Sequence, residues 1–233
     1  MSIYIWDKEI KDLCIWDRSV KEVYLWDAKV RPTSRLPSEY QEVEYIGGTG
    51  TQYINTGLEI EWWYIINCKT QFPSFSGNNK TLWGYWGYSW GVYHRLYWGA
   101  TTSAQRQYWF LDWYTGWTWS VSVNTDYELE LSTVSWNLYF KVDGTTIGSK
   151  NYTYSHIFWW NICVLAGYTS PQYYPRVWKI YSFKVYDSSN TLVRDLVPCY
   201  RKSDTVIWMY DLVNNVFYTN SWTWTFSKWQ DVS

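Results

Sequence analysis

Side-chain types that suit sugar recognition recur at every second position along Val92-Tyr93-His94-Arg95-Leu96-Tyr97-Trp98. In a strand, that alternation puts Tyr93, Arg95 and Tyr97 on one face and Val92, His94, Leu96 and Trp98 on the other. Two phenol rings around a guanidinium offer flat apolar surfaces for C–H contact and a fork of donors for hydroxyls or a carboxylate. An ordinary amphipathic strand, whose Tyr and Arg merely cover a sheet, carries the same pattern. Asp112, Tyr173 and Tyr174 would join such a site from loops, although no spacing rule positions them there.

Hydrolytic chemistry is poorly supplied. Glycoside hydrolysis needs two carboxyl groups held about 5 Å apart for retention or about 6.5–9.5 Å apart for inversion. Glu128 and Glu130 lie two apart, as do Glu59 and Glu61, so each pair shares one strand face in the manner of a solvated surface. Neither histidine, His94 or His156, has an aspartate close by in sequence. A non-enzymatic chain is expected. The four cysteines, Cys14, Cys68, Cys163 and Cys199, form no CxxC and accompany no histidine cluster, which argues against zinc. Three of the four sit among apolar neighbours and read as buried thiols. No EF-hand loop exists. A calcium ion would need scattered ligands such as Asp112 and Asp126, so no cofactor is expected.

The formal net charge is -1, and no run of five like charges occurs. Neither nucleic acid nor an anionic membrane is an expected partner. The most apolar segment, Ile157 to Gly167, is interrupted by Asn161 and is too short to span a bilayer as a helix. The first residues carry charge from Asp7 onward and do not read as a secretory signal.

The elements that would hold these residues are strands throughout. Residues 1–33 contain a repeat of period ten: IYIWDKEIKD, LCIWDRSVKE and VYLWDAKVRP. Each copy alternates apolar residues, turns at Trp-Asp and returns, as a short hairpin does. Arg31-Pro32-Thr33-Ser34-Arg35-Leu36-Pro37 reads as a linker into a second domain, 34–233. There, Tyr53 to Thr56, Tyr127 to Leu131, Leu138 to Val142 and Ile180 to Tyr186 carry dense β-formers or period-two alternation. Turn signals separate them at Gly47-Gly48, Gly77-Asn78-Asn79, Asp143-Gly144 and Asp187 to Asn190. No amphipathic helix of three turns is legible. The expected class is all-β, an antiparallel sandwich.

Tryptophan is the anomaly. The chain has 21 Trp against 13 Gly, and many of the indoles stand among turn-formers, as in NSWTWTFSKW from Asn220 to Trp229. Trp6, Trp16 and Trp26 each precede Asp where Gly-Asp would make an ordinary hairpin turn. Holding a residue with a side chain at positive φ costs about 1–2 kcal/mol. Some ten such positions would consume stability on the scale of a whole domain, about 5–15 kcal/mol. Either other turns are used, or UGA codons meaning glycine in the source genome have been read as tryptophan.

Several stretches resemble the concanavalin A-like or laminin-G-like jelly-roll domains of phage tail and bacterial surface proteins. LPSEYQEVEYIGGTGTQYINTG, from Leu36 to Gly57, is similar to the opening strand of that family and its Gly-Thr-Gly-Thr turn. NLYFKVDGTTIG, from Asn137 to Gly148, resembles a hairpin with Asp-Gly at its tip, and Lys179 to Trp229 resembles the closing strands and tail. Where the family pattern has glycine, this chain has Trp178, Trp208, Trp222, Trp224 and Trp229. The resemblance implies a lectin-like module on a phage tail or cell surface, preceded by short strand repeats. Its partner would be a cell-surface glycan or a virion protein, with a homo-oligomer as the route to avidity. A decoration protein with no small ligand fits the same features. The family also includes polysaccharide-degrading enzymes, but the Glu-x-Asp-x-x-Glu arrangement of its glucanases is missing here.

Overall fold

The computed structural model describes the backbone of residues 3–5, 8–10, 14–15, 18–19, 23–25 and 28–30. Between 35 and 232 it describes all but 49–51, 60–63, 73–79, 88–91, 99–105, 108, 111–117, 120–121, 135–136, 152–160, 166–178 and 220–224. Side chains are described from Arg35 onward, except at 80–81, 85–119, 134 and 150.

The period-ten repeat folds as three separate hairpins: β1 (Ile3–Ile5) with β2 (Lys8–Ile10), β3 (Cys14–Ile15) with β4 (Arg18–Ser19), and β5 (Val23–Leu25) with β6 (Ala28–Val30). Two residues connect the strands of each, and the registers Ile5↔Lys8, Ile15↔Arg18 and Leu25↔Ala28 are equivalent. Among the described residues, each hairpin pairs only with itself.

The remaining strands are β7 (Tyr40–Glu42), β8 (Ile46–Gly47), β9 (Ile54–Glu59), β10 (Ile65–Gln71), β11 (Lys80–Gly87), β12 (Val92–Trp98), β13 (Arg106–Gln107), β14 (Trp109–Phe110) and β15 (Thr118–Trp119). They continue with β16 (Asp126–Val134), β17 (Asn137–Val142), β18 (Thr145–Asn151), β19 (Asn161–Val164), β20 (Lys179–Tyr186), β21 (Leu192–Arg201), β22 (Ile207–Asp211), β23 (Val216–Tyr218) and β24 (Ser227–Lys228). Two antiparallel sheets form a sandwich, and no helix occurs among the described residues. The larger sheet runs β18-β17-β16-β10-β20-β21-β22-β23, with β7 on β21 and with β8 held between β20 and β24. The smaller sheet runs β14-β12-β11-β19-β9.

Alternation builds the core. Ile66 and Cys68 of β10, Leu129 and Leu131 of β16, and Phe183 and Val185 of β20 point into one buried cluster with Ile54, Leu82, Trp83, Ile162 and Val164 of the smaller sheet. A second cluster, Leu36, Val197, Cys199 and Tyr210, lies on the other side of β21, where Tyr40 packs against it. Both faces of β21 are therefore covered, and its burial runs unbroken from Asp195 to Cys199.

The turns follow their chemistry in part. Asp143 and Gly144 take φ of 48° and 76° at the tip of the β17–β18 hairpin, the left-handed pair that a two-residue hairpin turn requires. Asp187 caps its turn by accepting from the N–H groups of Ser189 and Thr191, both at 2.9 Å. Gly47 departs from the expected turn: it lies in β8, opposite Lys179 and Ser227, because β8 is short enough to fit between its two neighbours. The Gly77-Asn78-Asn79 signal lies outside the described residues.

Among the described residues no tryptophan has a positive φ. Trp83 and Trp208 sit in extended strands, and neither they nor Trp229 has a positive φ. The cost expected from left-handed backbone therefore does not apply at Trp208 or Trp229. Trp6, Trp16, Trp26, Trp178, Trp222 and Trp224 lie outside the described residues. Trp208 carries a different penalty: it is 7% exposed, packs edge-on against Phe226 at 5.4 Å, and leaves its indole N–H without a hydrogen-bond partner.

Candidate functional site

The Tyr93-Arg95-Tyr97 row lies in β12, as the alternation requires, and the β11–β12 register slips once, between Thr81 and Trp83, opposite Tyr97 and Leu96. Leu96 pairs with Trp83, whose indole packs into the inter-sheet core. Arg95 pairs on one side with Gly84, which pairs in turn with Cys163, and on the other side with Trp109. Cys163 pairs with Asn55. The register line Trp109–Arg95–Gly84–Cys163–Asn55 thus crosses all five strands, and Gly84 and Cys163 are buried where it passes. Tyr93 pairs with Trp86 and Tyr97 with Thr81. Trp86, Trp109 and Asn55 are therefore neighbours in register that the alternation of a single strand does not reveal. Asp112, Tyr173 and Tyr174 lie outside the described residues.

A second constellation occupies the outer face of the larger sheet. Register slips between Lys69 and Thr70: Lys69 faces Ser182 while Thr70 faces Ile180. Tyr181 is the extra residue. The bulge turns it outward while Ile180 and Phe183 stay fully buried. Its hydroxyl bonds to the Asp126 carboxylate, and burial followed by this bond raises the phenol pKa. The same carboxylate accepts from Gln71 Nε2 at 2.8 Å and faces Lys69 Nζ at 3.6 Å. Lys69 Nζ also lies 5.2 Å from the centre of the Tyr181 ring. Tyr45 stands edge-on to Tyr181 at 5.3 Å, Trp229 stacks on Tyr45 at 5.7 Å and 12°, and Lys179 Nζ lies 4.6 Å from the Tyr45 ring centre. Of this group the sequence singled out Asp126, as a calcium-type oxygen, and Trp229, only as an indole where the resembling family has glycine. A one-residue slip between two strands has no signature in either strand.

Other charged groups have structural work. Glu130 pairs with Lys141 at 2.8 Å and Glu128 is exposed, as expected of a solvated strand face. Glu59 is exposed, and Glu61 lies outside the described residues. Asp211 is fully buried and accepts from the N–H groups of Asp195 (3.1 Å) and Val213 (3.0 Å) and from Asn214 Nδ2 (2.7 Å). Arg194 lies 3.5 Å from the Asp211 carboxylate and reaches the carbonyl of Thr56 in the smaller sheet. This network ties one end of the sandwich together. Cys68, Cys163 and Cys199 are buried free thiols; burial raises all three, Cys163 and Cys199 to about 12, with Glu42 adding to the effect at Cys199. No group of three or more metal-ligating side chains occurs among the described residues.

No family model matches the chain, and no curated protein matches it. Among solved structures it is similar to a Bacteroides ovatus protein provisionally described as carbohydrate binding, with a TM-score of 0.54 and 13% identity over 82% of this chain. The chain spans 62% of the length of that protein. A sialidase of Trypanosoma rangeli aligns over 57% of this chain and 21% of its own, with 12% identity and a TM-score of 0.43. At these identities the likeness is one of fold: an all-β, two-sheet sandwich shared with the Bacteroides protein.

Proposed function

We propose that this chain is a non-enzymatic glycan-recognition module carried on a phage tail or a comparable surface assembly. The observation that carries the reading is the register line through Arg95. It aligns Trp109, Arg95 and Asn55 on one sheet face, with Tyr93 and Trp86 in the adjacent row. Aromatic positions flanking a guanidinium suit a pyranose, which presents an apolar face and a rim of hydroxyls. The description of the Bacteroides protein as carbohydrate binding supports the same class of ligand. Single-site affinity of such a face is weak, and display in several copies raises it.

The three hairpins support attachment to a larger assembly. An isolated two-stranded hairpin is marginal in water and gains stability by adding to a neighbour. A purely structural decoration protein is the second reading, and the repetition of one register at a ten-residue period favours it.

Recoding belongs to the same proposal: some of the tryptophans are glycines in the natural product. At Trp208 a buried, unpartnered indole N–H, which Trp83 shares, coincides with a glycine position of the resembling family, and such a donor costs about 1–3 kcal/mol. Codons settle the point, and UGG at Trp6, Trp16, Trp26, Trp208 and Trp222 would end it.

The functional test is a glycan array probed with a multivalent form of the chain, in its written and glycine-restored versions. Binding to a defined set of sugars, lost in Arg95→Ala, is the expected result. Failure of both versions on every glycan leaves the structural reading standing instead.

A further inference from the structure

We infer that the bulge at Tyr181 builds a second carbohydrate subsite, on the larger sheet, for a neutral pyranose. The inference rests on the glycan-recognition reading above but uses a different sheet and different residues.

The backbone irregularity itself is the first argument. Bulges concentrate where a side chain must be re-aimed, and here the slip exposes an aromatic ring that regular pairing would not place outward. Thr70 Oγ1 donates to the Lys179 carbonyl at 2.8 Å beside the slip, so a side chain satisfies a group next to the irregular pairing.

The chemistry next to the ring is the second. Asp126 keeps 41% of its side chain exposed although Tyr181, Gln71 and Lys69 converge on it. A carboxylate held this way is a fixed acceptor for sugar hydroxyls, and Lys69, 38% exposed, is a donor beside it. Gln71 is 9% exposed, and its amide oxygen has no partner although its nitrogen is bound to Asp126. A buried acceptor left open beside an exposed carboxylate is what an incoming hydroxyl, or a water ordered by one, would satisfy. Trp229, 52% exposed, stacks on Tyr45, which is itself buried and stands edge-on to Tyr181.

Charge selects among sugars. The Asp126 carboxylate faces outward and Glu44 also acts on Tyr181, so an acidic sugar would meet two negative groups against Lys69 and Lys179. A neutral hexopyranose with adjacent hydroxyls fits the acceptor, donor and ring.

Saturation-transfer NMR of the full chain with methyl glucoside, galactoside, mannoside and glucuronide tests the inference. Tyr181→Ala, Asp126→Asn and Arg95→Ala serve as variants, each checked for an unchanged thermal transition. Saturation of at least one neutral glycoside, with binding about tenfold weaker in both Tyr181→Ala and Asp126→Asn, is expected. Asp126→Asn retains the shape of the site, so its loss reports the carboxylate and not the fold. Tyr181→Phe separates ring from hydroxyl and is expected to keep most of the binding. Loss in Arg95→Ala with no change in the other two overturns this subsite and leaves the recognition reading intact. Preference for the glucuronide overturns the neutral assignment. No saturation of any sugar by the parent chain overturns both.

Discussion

The indole of Trp83 and the ring of Phe183 meet edge to face across the gap between the two sheets, 5.9 Å apart and inclined at 68°. Trp83 belongs to β11 of the smaller sheet and Phe183 to β20 of the larger, beside the bulge that exposes Tyr181. Both rings are fully buried. Trp83→Ala is therefore expected to lower stability by about 3–5 kcal/mol, the usual cost of emptying a large aromatic site. Urea denaturation measures it, and a loss under 1 kcal/mol would show that the sheets are joined elsewhere.

Trp208 provides the contrast. It is nearly as buried and, like Trp83, leaves its indole donor without a partner, but it stands where the resembling family has glycine. If the codon encodes glycine, Trp208→Gly keeps stability within about 1 kcal/mol of the written chain or raises it, because the cost of the orphaned donor disappears. A loss of about 3–5 kcal/mol, as for any well-packed Trp, would count against misreading at this position.

Asp211 tests the polar tie between the sheets. Removing its carboxylate leaves Arg194, whose side chain is 16% exposed, without its counter-charge at the Thr56 carbonyl. Asp211→Ala is expected to cost about 3–5 kcal/mol, while Arg194→Met, which removes the charge and keeps the bulk, costs less. Equal losses from both would mean that packing, not charge, holds this corner.

The buried thiols set a pH window. Cys163 and Cys199 have folded-state pKa values near 12 against 9.0 for an ordinary thiol, because burial disfavours the thiolate. Their contribution to stability is fully present below pH 9 and is lost as pH rises from 9 towards 12, where the unfolded chain ionises first. At pH 8 a thiol reagent should label these cysteines only after denaturant is added. Fast labelling of the native chain would contradict the burial.

The N-terminal hairpins give a prediction about edges. With two residues in the loop, the pairs Ile5↔Lys8, Ile15↔Arg18 and Leu25↔Ala28 close the hydrogen-bonded rungs, which leaves the amides at positions 9, 19 and 29 facing outward. Proline at Glu9, Ser19 and Lys29 removes those donors without touching the inner rungs. Where the hairpins add edge to edge as proposed above, light scattering of the full chain should show a lower mass for this variant than for the parent, with the thermal transition of the sandwich unchanged. Unaltered mass would indicate that the hairpins do not attach through their edges.

The strand pattern was legible because burial on one face writes itself into the sequence at period two. Tyr127 to Leu131, Leu138 to Val142 and Ile180 to Tyr186 all lie within strands, and the Asp143-Gly144 tip takes the left-handed pair that its composition requires. Gly47 misled because a glycine pair signals a turn locally, whereas β8 is fixed by Lys179 and Ser227, far along the chain. The face of β12 could be read from alternation, but its neighbours Trp86, Trp109 and Asn55 depend on which strands lie beside it. Tyr181 was invisible for a related reason: whether a residue in β20 is extra depends on how β10 is aligned against it.

The insertion of β8 between β20 and β24 has a consequence for biogenesis. Ile46 is paired at once with Ile180 and with Lys228, so β8 cannot be enclosed until β24 has left the ribosome. The hairpins close over a few residues each and are free to form during synthesis. The sandwich must instead wait, with its aromatic interior exposed in the nascent chain, and that delay makes its yield depend on chaperones and temperature more than its final stability would suggest.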